Sequence, residues 1–111
     1  MPSDRYIVVL TTFPADGDAE AVARTLVEEH LAACVNILPP MASVYRWQGA
    51  VERADERQLI IKTTAASLER LQTRLRSLHP YDVPEFLTLS VESGAPDYLA
   101  WLAAAVLPVK P

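Results

Sequence analysis

Residues 31–49 read LAACVNILPPMASVYRWQG, two strand-forming runs split by Pro39 and Pro40. Laid out at ~3.3 Å per residue, the stretch from 32 to 48 exceeds ~50 Å. A compact domain of this length has a radius of gyration near ~13 Å, so the segment must bend or project from the body. Proline cannot donate to a sheet ladder, so the pair marks an edge, a bulge or a bend. Gly49 supports a hairpin turn, the mixed-sign VERADER of residues 51–57 reads as a solvated part of that turn, and RQLIIKTT, residues 57–64, returns as the next strand.

The rest of the pattern surrounds this hairpin. Residues 6–13, YIVVLTTF, are β-branched and apolar without helical spacing, and Pro14 with ADGD ends them as a turn. From Asp18, Val22, Leu26 and His30 form one stripe and Ala23, Val27 and Leu31 the next, with Asp16 or Asp18 placed to cap a helix that runs to about His30. Leu68, Leu71, Leu75 and Leu78 recur at spacings of 3, 4 and 3 behind Ser67 as the cap, which predicts a second helix ending near Leu78. EFLTLSVE, residues 85–92, is the fourth strand, and Pro96-Asp97 opens a last helix over 98–107 that lacks a charged face.

The order βαββαβ plus a C-terminal helix specifies an α+β protein of ferredoxin-like arrangement, an antiparallel sheet with two helices on one face. The length of 111 residues fits a single domain over 1–111, with half of the residues apolar and 22% charged. Such a sheet leaves its second face open. An open face, a projecting hairpin and an uncharged terminal helix expose more apolar surface than a monomer carries, so a homo-oligomer is expected. The alternative is that the terminal helix covers the sheet of its own chain.

Charge and processing signals narrow the partners. With a net charge of -4 and basic residues interleaved with acids, the chain has no footprint for nucleic acid. MPSDRYIVVL lacks the features of a signal peptide, and the mostly apolar run of 98–109 falls short of the ~20 residues of a membrane helix. Cys34 is the only cysteine, which predicts no internal disulfide and a reducing compartment, the cytoplasm.

The stretch LHPYDVPEF, residues 78–86, concentrates polar chemistry in a corner set by Pro80 and Pro84. His79 and Glu85 are ligand types for zinc or copper and also an acid-base pair, with the Tyr81 phenol between them. Two ligands are too few for a tight metal site, so a site would be completed across an oligomer interface, or would hold a small anion near Lys62. The competing structural reading has His79 on the carbonyl end of the second helix, Tyr81 packed on the sheet and Glu85 paired with an arginine. His30 is assigned to a helix end and Cys34 to a buried, inert thiol. Tyr45 and Trp47 share one face of the hairpin, as packing or as a platform. With three glycines and no nucleophile elbow, a phosphate cradle is excluded.

VVLTTFP, LVEEHLAACVNILPPMASVYRWQG, LIIKTT, LHPYDVPEF and PDYLAWL together resemble the CutA divalent-cation tolerance proteins over nearly the whole chain. The resemblance implies a compact trimer similar to the PII signalling proteins, with long hairpins joining subunits, and a link to tolerance of divalent metals, copper especially. Animal members look instead like partners that anchor an enzyme at a membrane. No catalytic activity or required cofactor follows. By matching motif, His79, Tyr81, Glu85, Tyr45, Trp47, Lys62 and Cys34 carry over as residues lining clefts between subunits. Thr11 and Thr12 stand where some members have a cysteine, which removes the softest ligand for copper.

Three readings follow. The first is a non-catalytic trimer binding a divalent cation, with His79 and Glu85 as metal ligands, or a small ligand at its clefts. The second is an enzyme using His79 and Glu85 for proton transfer, for which neither a substrate pocket nor an electrophile stabiliser is legible. The third is an anchoring trimer that presents three copies of a surface to a protein partner.

Overall fold

The computed structural model describes residues 5–107. The two ends of the predicted 1–111 domain, and the last residues of the 98–109 apolar run, lie outside them. Strand β1 is Tyr6–Pro14, helix α1 Ala19–Glu28, β2 Cys34–Ile37, β3 Met41–Trp47, β4 Ala50–Thr64, α2 Leu68–Leu78, β5 Leu87–Ser90 and α3 Pro96–Ala105.

Strand β4 is the spine, 15 residues long. Its inner part pairs antiparallel with β1 from Tyr6↔Thr64 to Pro14↔Glu56, and with β2 from Cys34↔Lys62 to Ile37↔Leu59. Its outer part pairs with β3 from Met41↔Glu56 to Trp47↔Ala50. Strand β5 closes the far side on β1, giving the order β2-β4-β1-β5 with β3 continuing along β4. This is the ferredoxin-like arrangement expected, and the hairpin does project: the extents are 44 × 31 × 23 Å and the radius of gyration is 14.9 Å.

The prolines mark a break between β2 and β3 on one edge of β4. Leu38 N–H still bonds Gln58 O at 2.9 Å, and the Arg57 Nε–H donates to Leu38 O at 2.9 Å, so the interruption keeps its polar groups paired. One expectation is corrected here. Residues 51–57, read as part of a solvated turn, are strand, because the turn needs only Gln48 and Gly49, at φ 49° and 84°. Positive φ at both central residues matches the right-handed twist of a two-residue hairpin. The charges of VERADER sit on a ribbon that is mostly exposed, where a strand has no need of apolar alternation.

The core lies between the sheet and helices α1 and α2. Odd-numbered residues of β1 and β4, among them Ile7, Val9, Phe13, Leu59 and Ile61, meet Leu26, Leu71 and Leu75 there. Asp18 caps α1, accepting from Ala21 N–H at 3.1 Å. The helix ends in a Schellman motif: Leu31 N–H reaches Leu26 O at 3.0 Å and His30 N–H reaches Val27 O at 3.1 Å, with His30 itself left-handed at φ 61°. Ser67 does not cap α2 as predicted. A short 3-10 turn, Ala65–Ser67, leads into the helix and the Ser67 hydroxyl lies 3.5 Å from that of Thr64.

Helix α3 covers only one end of the sheet's second face, where Leu102 and Val106 pack on Ala33 and Tyr6. His30 ties the helix down by donating from Nδ1 to Ala105 O at 3.2 Å. The rest of that face stays open. Leu87 and Leu89, opposite Leu10 and Val8 in register, are 56% and 53% exposed. Tyr98 and Trp101 of α3 are exposed as well, their rings 5.3 Å apart. Cys34 is half-buried on this face rather than in the core.

Candidate functional site

The polar corner forms where α2 stops. Pro80 forces His79 into an extended conformation, φ -85° and ψ 135°, which turns its ring off the helix and onto the end of β1. The ring stacks on Phe13 at 4.1 Å and lies 4.9 Å from the Tyr81 ring. Its Nε2–H donates to Thr12 O at 2.8 Å, and Nδ1 accepts from Tyr81 N–H at 3.1 Å. A carbonyl can only accept and a peptide N–H can only donate, so the ring is the neutral Nε2–H tautomer. Burial holds its pKa below the ordinary imidazole value, against the upward pull of the Thr12 bond and the Glu56 charge.

The next two polar groups are tied to β4. Tyr81 Oη–H donates to Glu56 Oε2 at 2.7 Å. Burial first, then this bond and the Glu56 charge, push the Tyr81 phenol up, with Tyr45 and Asp16 adding to the shift, so it remains a donor. Glu56 is buried at the fork where β4 leaves β1 for β3, opposite both Pro14 and Met41. Glu85 accepts from Gln58 Nε2 at 3.0 Å, and the same amide donates to Thr11 O at 2.7 Å.

The structure therefore brings His79, Tyr81 and Glu85 together and sets Tyr45 near Tyr81. Trp47, 47% exposed, stands at the hairpin tip. Lys62 sits mid-sheet between Val8 and Cys34, four positions along β4 from Gln58 and thus about 13 Å away. Within one chain neither reaches the corner. Helix α2 receives nothing from the His79 ring, and Glu85 meets glutamine rather than arginine. Glu56 escapes sequence reasoning because residues 51–57 read as a turn, and Gln58 because a polar strand residue bears no mark of the partner it meets. Strand alternation from the buried Leu59 and Ile61 places both on the other face, and that parity is the signal that finds them.

An antiparallel sheet backed by helices on one face, with a polar corner at one end and an open apolar face, defines a ferredoxin-like α+β protein. The CutA1 divalent ion tolerance protein model matches residues 7–105, and the chain belongs to this family. The divalent-cation tolerance protein CutA of Thermus thermophilus is 48% identical over 95 residues, 86% of this chain and 92% of that one. The crystal structure of CutA1 from Oryza sativa superposes with a TM-score of 0.90 at 38% identity, covering 96% of this chain and 98% of that one. A structure from Archaeoglobus fulgidus, described as a periplasmic divalent cation tolerance protein CutA, gives 0.87 at 31% identity, covering 92% and 99%. This is not a known family of enzymes. Among the described residues, no helix is long and apolar enough to cross a membrane.

The family name raises a divalent cation, and the donors of one chain do not fit it. Among the described residues no three His, Cys, Asp or Glu side chains are grouped to hold an ion. Both nitrogens of His79 are engaged, Glu56 and Glu85 each have an oxygen committed, and Cys34 is level with Lys62, far along the sheet.

Proposed function

We propose that the protein acts as a non-catalytic homotrimer, PII-like in architecture, that binds a small ligand or a divalent cation such as copper or zinc at clefts between subunits and serves metal homeostasis or signalling. The observation that carries this reading is the open sheet face, where Leu87 and Leu89 lie bare beside the half-buried Val8, Leu10 and Ile60. Leaving that much contiguous apolar surface in water is unfavourable at about 25 cal/mol per Å², and further copies of the chain are the simplest cover. Assembly would carry the projecting hairpin, with Tyr45 and Trp47, onto a neighbouring subunit. Clefts lined by these two residues, Lys62, Tyr81 and Glu85 would then combine groups that one chain keeps apart. A cation would draw its missing donors from the adjoining subunit.

The structural commitments of two groups in the corner favour the non-catalytic reading. Tyr81 is held as a donor, and the His79 ring spends both nitrogens on backbone. One domain over 1–111 and a cytoplasmic location complete the proposal, the latter because the single cysteine matches a reducing compartment.

Calorimetry with copper, zinc and metabolite mixtures on wild-type and Glu85→Ala trimers tests the site. Weaker binding in the variant is expected. Equal heats in the two proteins would remove the cleft assignment.

A further inference from the structure

We infer that His79 is a positioning residue and not a ligand for a divalent metal in this chain. The Thr12 bond by itself suits a metal ligand, because a coordinating histidine ordinarily donates its other ring N–H to a carbonyl or carboxylate. The second nitrogen decides the matter. The in-plane lone pair of Nδ1, the one electron pair a metal would need, receives Tyr81 N–H at 3.1 Å. Flipping the ring would aim carbon at the Thr12 carbonyl and the Tyr81 N–H and orphan both at a residue only 9% exposed. The Phe13 ring at 4.1 Å leaves it little room to tilt instead.

What the ring does is join two parts of the chain distant in sequence. One nitrogen holds the end of β1 and the other starts the corner. The corner then delivers the Tyr81 hydroxyl to Glu56 and, past Pro84, Glu85 to Gln58. Among the described residues no thiol stands at this end of the sheet, where Thr11 and Thr12 occupy β1 and Cys34 lies about 13 Å along the strands. The inference stands whether or not the clefts bind a ligand.

The test is ring-nitrogen NMR on the wild-type assembly with zinc chloride in excess, paired with zinc calorimetry on His79→Gln, whose amide can still donate to Thr12 O. Expected are an Nε2–H, Nδ1-acceptor pattern for His79 that zinc leaves in place, and a zinc affinity in His79→Gln within about tenfold of wild type. A metal-shifted His79 nitrogen with displacement of the Tyr81 amide overturns the inference. So does a loss of about tenfold or more, the least that even an outer-shell partner of a metal ligand costs. If His79→Gln does not fold, the wild-type spectrum decides alone. If zinc gives no heat anywhere while the ring pattern persists, the cation reading of the clefts fails and the role of His79 survives.

Discussion

At the scale of single residues, buried polar atoms carry the sharpest consequences. Thr11 is fully buried among core residues of β1, and its hydroxyl has no hydrogen-bond partner among the described residues. Desolvating a hydroxyl without a partner costs free energy that an isosteric methyl does not. Thr11→Val is expected to stabilise the fold by about 1 kcal/mol, read as a higher urea midpoint with unchanged slope at fixed protein concentration. His79 predicts a pH dependence. Its pKa is lowered in the folded state, so its contribution is complete above the ordinary value of 6.5 and is lost as pH falls through that value toward the lower folded one. Thermal midpoints should begin to decline just below pH 6.5, and His79→Gln should flatten that limb. Glu29 acts in a separate window. The Arg74 guanidinium, bonded to both of its oxygens at 2.9 Å, lowers its pKa, so that contribution is lost only below the ordinary 4.5. The chemical character of the corner was legible in LHPYDVPEF. Its wiring was not, since Thr12 O, Glu56 and Gln58 reach it only through strand pairing.

At the scale of elements, the leucine stripe of α2 was unambiguous because spacings of 3 and 4 leave one face apolar whatever the surroundings. The hairpin was harder. Two of its features act together: the turn takes two residues, and β4 is half buried against β1 and half bare against β3. The bare half has no alternating apolar code, so a sequence pattern stops at Arg57 although the strand begins at Ala50. The turn offers a test with two signs. Gly49 sits at φ 84° with no atom beyond its two chain neighbours within 4 Å of where a Cβ would stand, so Gly49→Val is penalised by backbone conformation, by about 1 kcal/mol or more. Gln48→Asn, at φ 49°, should be stabilising, because asparagine tolerates the left-handed region. Denaturation midpoints of the two variants should move in opposite directions.

At the scale of the whole molecule, the fold is a spine with one good face. Helices α1 and α2 seal the core side, and α3 reaches only the end near Tyr6 and Ala33. Between the two expectations for the second face, a cover from the chain's own terminal helix and a cover from further copies, the structure supplies the first in part and leaves β5 bare. Placing a charge there tests the second. If the proposed trimer is sealed by this face, Leu89→Arg should lower the mass by light scattering from three chains to one while circular dichroism still reports a folded α+β protein. An unchanged assembly in that variant would argue against the sheet face as the seam.

The sequence by itself determined the element order, the helix stripes, the place of the hairpin and the family, because these depend on local periodicity, on proline and glycine geometry, and on gap-free motifs. Only the tertiary structure decided which groups meet. Residues 12, 56, 58, 79, 81 and 85 converge because β1 and β4 run antiparallel and α2 ends over their edge. A backbone carbonyl that accepts a hydrogen bond from an imidazole leaves no mark in the identity of its residue.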